Sequence, residues 1–178
     1  METIWTIGHS TRPLQEFLEL LRSSNIESLA DVRRYPASRR HPQFNATTLA
    51  QALAGEGMRY SAYTELGGRR TPRSDSSNTR WRNASFRGYA DYMETEAFDD
   101  ALTRLTAEAG TMRTAVMCAE APWWRCHRAL IADALKARGL EVLHIMAEGH
   151  VVAHPYTLAA SVVDGRPYYG PSPDLLDA

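Results

Sequence analysis

The chain has 178 residues, of which 44% are hydrophobic and 23% are charged. These proportions indicate one folded domain and exclude a disordered or fibrous chain. The sequence has no run of 18 apolar residues, and its first ten residues lack the basic and apolar regions of a secretion signal. We therefore expect a cytoplasmic protein without a membrane partner. Its two cysteines, Cys118 and Cys126, are too few for a disulfide framework, and we expect free thiols.

The net charge of −1 conceals a strongly cationic segment. Residues 31–87 contain eleven arginines and four acidic residues, whereas the rest of the chain is acidic. A coding bias toward arginine would explain why Lys136 is the only lysine, but it would not explain why the arginines cluster. The segment therefore predicts a surface that binds phosphate or carboxylate groups.

Strands and helices alternate in the first third of the sequence. Apolar runs predict strands at residues 3–8, 26–32 and 58–61. Apolar residues at helical spacing predict one helix after Pro13 and another around residues 49–53, which nearby glycines close. The chain is therefore expected to begin with a β-α-β unit.

The alternation resumes after a polar segment. Residues 62–84 are rich in glycine, arginine and serine, and they predict a long exposed loop of the kind that often binds ligands. Helical spacing follows over residues 86–110. Strands are predicted at residues 114–118 and 140–145, with a helix over residues 126–138 between them.

This order of elements predicts the α/β class. We expect a three-layer α-β-α fold, in which helices cover both faces of a mainly parallel central sheet of about five strands. Residues 1–146 are predicted to form a single α/β domain. Residues 147–178 contain three glycines and four prolines, and we interpret them as a C-terminal extension that packs on this domain or trails from it.

Titratable residues follow three of the predicted strands. His9 and Ser10 follow the first strand, the second ends in the segment from Asp31 to Arg33, and Cys118 to Glu120 closes the fourth. Ligands of open parallel sheets bind outside the carboxyl ends of the strands. These side chains are therefore expected to meet at one edge of the sheet.

Six short segments in order resemble a known family. The segments TIGHS, DVRRYPASR, YTELGG, FRGYADYM, MCAE and CHR resemble the bacterial family catalogued as domain of unknown function 488, over about residues 4–145. The resemblance implies a cytosolic α/β protein but supplies no reaction. The family-typical positions are Gly8, His9, Ser10, Asp31, Arg33, Pro36, Ser38, Arg39, Phe44, Leu66, Gly67, Gly68, Tyr89, Met93, Cys118, Glu120, Cys126, His127 and Arg128.

The candidate catalytic residues are Cys118, Glu120, Cys126 and His127. Cys126 is expected near a helix N-terminus beside two arginines, which favours its thiolate and a nucleophilic role. His127 could then act as a base or orient the thiol, and Glu120 could act as a general acid or base. The alternative is that both cysteines pack structurally and His127 is a surface residue.

Three other kinds of thiol chemistry are open. A cysteine-phosphatase loop has five residues between its Cys and Arg, whereas six separate Cys118 from Arg125, and two tryptophans replace the small residues of such loops. A metal site could use Cys118, Cys126 and His127, but the spacing matches no familiar zinc pattern. The two cysteines could also form a redox disulfide.

The candidate ligand-binding residues combine forked arginine donors with glycines and aromatic rings. Such donors on glycine-rich loops suit phosphate, and basic residues interleaved with rings are typical of nucleic-acid surfaces. The alternatives are that the rings belong to the core, that the arginines form a solvated face, and that Asp31 only pairs with Arg33. The candidates are His9, Ser10, Asp31, Arg33, Ser38, Arg39, Gly67, Gly68, Arg69, Arg70, Tyr89 and Arg128.

The leading hypothesis is an enzyme that acts on a phosphate-bearing ligand, either a nucleotide or a nucleic acid. One alternative is a non-catalytic nucleic-acid-binding module, whose affinity must fall steeply with salt. Another is a metal-dependent enzyme whose arginines bind a carboxylate. The sequence identifies no cofactor, reaction or oligomeric state.

Overall fold

The computed structural model describes residues 1–172, and within them six strands form one central sheet. The strands are β1 (Thr3–Gly8), β2 (Ser28–Asp31), β3 (Arg59–Ala62), β4 (Thr114–Cys118), β5 (Glu141–Ala147) and β6 (His150–Ala153). Their order is β3-β2-β4-β1-β5-β6, and all neighbours are parallel except β5 and β6. The sheet therefore has one strand more than the sequence predicts, because the chain after β5 turns back and extends it.

Helices cover both faces of this sheet. They are α1 (Leu14–Ser23), α2 (Ala46–Gly55), α3 (Ala84–Tyr92), α4 (Glu96–Ala109) and α5 (Arg128–Ala137). α1 and α2 contribute Phe17 and Leu49 to the core on one face, whereas the other three helices contribute Tyr89, Leu102 and Leu130 to the core on the opposite face. The predicted three-layer α-β-α architecture is confirmed. None of the helices within residues 1–172 is long and apolar enough to cross a lipid bilayer.

The predicted helical stretch over residues 86–110 is two helices. Asn83 is the N-cap of α3, and its side chain accepts hydrogen bonds from two backbone N–H groups. Thr95 is the N-cap of α4, and its side chain accepts a hydrogen bond from the N–H of Phe98. The Thr95 cap satisfies an N–H that a continuous helix would have bonded internally. The chain therefore changes direction between the two caps.

The C-terminal segment is built into the fold. β6 pairs antiparallel with β5, and a hairpin follows that consists of β7 (Ser161–Val163) and β8 (Arg166–Tyr168). Tyr169 directly follows the hairpin. Its side chain is 2% exposed and belongs to the same core as the buried residues of α5. β6 therefore belongs to the central sheet, and Tyr169 belongs to the core. Residues 173–178 of the predicted extension lie outside the described residues.

The long loop before α3 is anchored by one carboxylate. Asp91 accepts hydrogen bonds from the backbone N–H of Arg73 (2.8 Å), the hydroxyl of Ser76 (2.6 Å) and the amide of Asn78 (2.7 Å). Burial alone would raise the pKa of Asp91, but these hydrogen bonds lower it overall. The part of the predicted exposed loop from Arg73 to Asn78 is therefore fastened to α3.

Replacing this carboxylate should destabilise the domain. In Asp91→Asn an NH2 group replaces one carboxylate oxygen, so a hydrogen-bond donor faces the donors of the loop. The free energy of unfolding should therefore fall by about 1–3 kcal/mol. Urea denaturation followed by circular dichroism measures the change. Asp100→Asn, on the exposed face of α4, is the matched control and should change stability little. Equal effects of the two substitutions would contradict the anchoring role.

Candidate functional site

The carboxyl ends of three strands meet at the centre of one sheet edge. β4 lies between β1 and β2, so Gly8 pairs with Cys118, and Asp31 pairs with Met117. A Cβ on Gly8 would lie 1.8 Å from the carbonyl oxygen of Glu120, so only glycine permits this close approach. The titratable residues that follow the strands are consequently brought together.

A cavity of about 590 Å³ opens at this edge. Side chains from the ends of β1, β2 and β4, from the loop before α3 and from the start of α5 surround it. The lining residues are His9, Ser10, Thr11, Arg33, Arg34, Tyr35, Ala37, Ser38, Arg40, His41, Gly68, Arg69, Ser85, Phe86, Tyr89, Cys118, Ala119, Glu120, Arg125, Cys126 and His127.

The two cysteine sulfur atoms lie 2.9 Å apart in this cavity, and we call them the thiol pair. Cys118 is 1% exposed, whereas Cys126 is half-buried. Burial alone would raise the pKa of Cys118, but the hydrogen bond from Cys126 and the charge of Arg128 lower it overall. The pKa of Cys126 is raised because its proton is held by Cys118 and because it is buried. The pair therefore favours one shared proton and one negative charge.

The charge that stabilises this anion belongs to Arg128, which is 0% exposed. One of its terminal nitrogens donates to the carbonyl oxygens of Glu120 (2.9 Å) and Ala121 (2.8 Å), and the other donates to Thr6 Oγ1 (3.3 Å). Its Nε has no hydrogen-bond partner within residues 1–172. No carboxylate in the same part of the chain forms an ion pair with it. A buried and unpaired guanidinium favours a negative charge beside it.

Behind Arg128 a chain of hydrogen bonds crosses the domain, and we call it the buried relay. Thr6 Oγ1 contacts His144 Nδ1, His144 Nε2 lies 2.9 Å from His154 Nδ1, and His154 Nε2 lies 2.8 Å from Asp133 Oδ1. Every contact is satisfied when each ring carries its proton on Nε2. All the hydrogen bonds then point from the arginine toward the carboxylate. Burial lowers the pKa of His144 to about 2, which keeps that ring neutral.

The C-terminal segment completes this relay. Asp133 also accepts hydrogen bonds from the hydroxyls of Thr157 (2.6 Å) and Tyr169 (2.8 Å). The Trp123 ring, which belongs to the segment between the two cysteines, stacks on the His144 ring at 4.7 Å. Sequence reasoning missed the relay because no motif links residues that are brought together by the pairing of β5 and β6.

His127 lies directly before α5 and faces the cavity. Its Nε2 donates to the carbonyl oxygen of Val32 (2.9 Å), which leaves Nδ1 as an acceptor without a hydrogen bond within residues 1–172. A Cβ on Gly68 would lie 2.9 Å from this Nδ1, so glycine is required there. Burial lowers the pKa of His127 to about 4. The neutral ring can therefore accept a hydrogen bond from a ligand.

Arg33 is committed to an internal ion pair. Its Nε and one terminal nitrogen donate to the two carboxylate oxygens of Asp31 at 2.9 and 2.7 Å, and Tyr60 donates to the same carboxylate. The remaining terminal nitrogen of Arg33 lies 3.4 Å from Nε2 of His9, whose ring stacks on Phe44. Burial lowers the pKa of His9 to about 4. Arg33 therefore supports the cavity wall, with one donor directed toward His9.

Four other arginines give the cavity its positive field. Arg34, Arg40, Arg69 and Arg125 line it, and none of them forms an ion pair with a carboxylate of residues 1–172. Glu120 is the single acidic residue among the described lining residues. Guanidinium groups without carboxylate partners around an open cleft attract anions.

The structure brings most of the sequence-predicted site residues together. All four candidate catalytic residues line the cavity, and so do seven of the candidate ligand-binding residues, namely His9, Ser10, Arg33, Ser38, Gly68, Arg69 and Tyr89. Asp31 and Arg128 lie behind its wall, Arg39 is exposed elsewhere, Gly67 packs on Arg34, and Arg70 covers the ring of Tyr92 at 3.6 Å.

Several residues that the sequence did not assign to the site also line it. The arginine cluster and the interleaved aromatic residues were a usable signal for Arg34, Tyr35, Arg40, Phe86 and Arg125. The others carried no such signal; they are Thr11, Ala37, His41, Ser85 and Ala119.

The geometry of the site gives no support to a protein-held metal. Among residues 1–172 no three His, Cys, Asp or Glu side chains converge on one point that could hold an ion. The thiol pair and His127, which the sequence left as possible ligands, do not form such a group. No residue set is therefore assigned to a metal.

The fold and the site define a three-layer α/β protein with a cavity of thiols and arginines at the carboxyl ends of its parallel strands. The family model described as Domain of unknown function DUF488 matches residues 13–135. The chain belongs to this family, as its sequence motifs indicate. No curated protein and no solved structure matches the chain. Thr6, His9, His144 and His154 lie outside the matched range and still contribute to the site.

The buried histidines should make the domain sensitive to mild acid. His9, His127 and His144 have lowered pKa values in the folded protein, so below about pH 6.5 the unfolded chain takes up protons that the folded chain does not. This contribution to stability is present above about pH 6.5 and is lost as the pH falls toward the folded pKa values, which are about 4 for His9 and His127 and about 2 for His144. Between pH 6.5 and 5.5 the free energy of unfolding should fall by about 1 kcal/mol for each of these histidines.

Urea denaturation at several pH values measures this slope. His9→Gln should remove about a third of it, whereas His150→Gln on the exposed strand β6 should leave it unchanged. A slope that neither substitution alters would contradict the assignment.

Proposed function

We propose that the protein is an enzyme that binds a phosphate-bearing ligand, a nucleotide or the end of a nucleic-acid strand, and uses the thiol pair as its nucleophile. The observation that carries this proposal is that one cavity holds both the thiol pair and four arginines without carboxylate partners. Its volume of about 590 Å³ falls in the range of pockets that enclose small ligands.

The arginines supply the binding energy for the phosphate. Guanidinium groups donate paired hydrogen bonds to phosphate oxygens, and each charge-assisted bond contributes about 1.5–3 kcal/mol. Tyr35 is 60% exposed at the rim, and the guanidinium groups of Arg34 and Arg69 lie 5.7 and 5.6 Å from its ring centre. Tyr35 and the lining ring of Phe86 offer flat faces on which a base can stack.

The reacting sulfur is that of Cys126. Cys126 is the half-buried member of the pair, whereas Cys118 lies deeper. When Cys126 attacks an electrophilic centre of the bound ligand, its proton passes 2.9 Å to the Cys118 sulfur, whose negative charge Arg128 stabilises. The bond between the attacked centre and its leaving group breaks, and the carboxyl group of Glu120, in its protonated form, donates a proton to that leaving group.

Binding should depend on the phosphate and on the unpaired arginines. In calorimetric titrations AMP should bind at least about tenfold more tightly than adenosine, because only AMP satisfies the guanidinium groups. Arg40→Gln and Arg125→Gln should each weaken AMP binding about tenfold. Arg59→Gln is the matched control, because Arg59 is an exposed arginine at the opposite end of a strand.

The same ligand should protect the nucleophile. AMP bound in the cavity should slow the alkylation of Cys126 by iodoacetamide, measured by peptide mass spectrometry, and adenosine at the same concentration should not. Equal binding of AMP and adenosine, or an equal loss in Arg59→Gln, would contradict the proposal. Binding of an oligonucleotide in place of AMP, with a steep fall in affinity with salt, would favour the non-catalytic nucleic-acid module.

A further inference from the structure

The two sulfur atoms of the thiol pair are closer than their role as a nucleophile requires. They lie 2.9 Å apart, which is less than 1 Å longer than a disulfide bond of about 2.05 Å. Seven residues separate Cys118 from Cys126 in the chain, so the contact closes a short loop. The chain contains no other cysteine.

This loop is held in place independently of the sulfur contact. Arg128 binds the carbonyl oxygens of Glu120 and Ala121, and its backbone N–H donates to the Cys126 sulfur at 3.4 Å. Stacking of Trp123 on His144 fixes the middle of the loop. The two sulfurs can therefore form a bond without refolding of the segment that joins them.

The two sulfurs also differ in access. Cys118 is 1% exposed, so an external molecule reaches Cys126 first. The buried charge of Arg128 favours a thiolate on the deeper sulfur. An accessible outer thiol with a thiolate directly behind it is the arrangement in which an outer mixed disulfide is resolved from within.

We propose that Cys118 and Cys126 form a reversible dithiol–disulfide couple, which takes its oxidising equivalents from a low-molecular-weight disulfide of an anionic thiol. The unpaired arginines of the cavity attract the carboxylates of such a molecule. The couple shares its sulfurs with the proposed function but does not depend on the phosphate ligand.

The exchange proceeds in two steps. The Cys126 sulfur attacks one sulfur of the external disulfide while its proton passes to Cys118. A mixed disulfide forms, and the first small thiolate leaves and takes that proton from Cys118. The Cys118 thiolate then attacks the Cys126 sulfur, the internal disulfide forms, and the second small thiolate leaves. One thiol and one thiolate of the protein are oxidised, and one external disulfide is reduced to two small thiols. The first small thiolate takes the proton of the pair, and the second takes a proton from water. The oxidised protein has no nucleophile and is inactive in the proposed reaction.

Intact mass spectrometry of the whole chain tests this couple, with glutathione disulfide as the probe. The reduced wild-type protein should lose two hydrogen atoms and carry no glutathione. Cys118→Ser should stop at one glutathione bound to Cys126, because the resolving sulfur is absent. Cys126→Ser should acquire glutathione at least tenfold more slowly than Cys118→Ser, because Cys118 is buried. Dithiothreitol should restore the reduced mass in the wild type.

Two results would overturn the proposal. One is a wild-type protein that accumulates the mixed disulfide. The other is a Cys126→Ser variant that reacts as fast as Cys118→Ser. Circular dichroism shows whether each variant is folded. If one variant is not folded, the result for the wild-type protein decides the test on its own. AMP is absent from these experiments. A failure of AMP to bind would therefore contradict the proposed function without changing the result expected for the dithiol–disulfide couple.

Discussion

The guanidinium of Arg128 is fully buried at the start of α5, and the described residues supply no carboxylate in ion-pairing contact with it. An unpaired buried charge is costly, so its surroundings must compensate it. Two carbonyl groups and the thiol pair do so on the cavity side, and the buried relay connects it to the carboxylate of Asp133 on the other. The hydrogen bonds of this one side chain join the loop between the two thiols to the buried relay.

The layers of the fold could be predicted because they depend on local patterns. A strand buried on both faces, such as β1, is a continuous apolar run, and an amphipathic helix such as α1 repeats its apolar residues at helical spacing. The convergence of His9, Cys118 and Glu120 could also be predicted, because parallel strands place their carboxyl ends at the same edge. The order of strands and helices along the chain was therefore enough to predict a site at this edge of the sheet.

Side-chain partners could not be predicted in the same way. Nothing in the segment DVRRYPASRR distinguishes Arg33, which Asp31 neutralises, from Arg34, which has no carboxylate partner in the described part of the chain. The direction of Arg70 depends on the Tyr92 ring, which an α-helix supplies from 22 positions further along. The buried relay depends on β6, whose antiparallel pairing with β5 has no signal in a segment rich in glycine and proline. These contacts are tertiary, so sequence spacing does not determine them.

The hydrogen bond from Cys126 and the buried guanidinium of Arg128 together favour a thiolate on Cys118 at the base of the cavity. Thiolate absorbance near 240 nm, recorded against pH in the wild type and in Arg128→Gln, measures this directly. We expect the first ionisation of the wild type below the ordinary thiol pKa of about 8.5, and in the folded variant we expect it to rise by at least about one pH unit. A wild-type ionisation at or above the ordinary value, or one that Arg128→Gln leaves unchanged, would contradict the account.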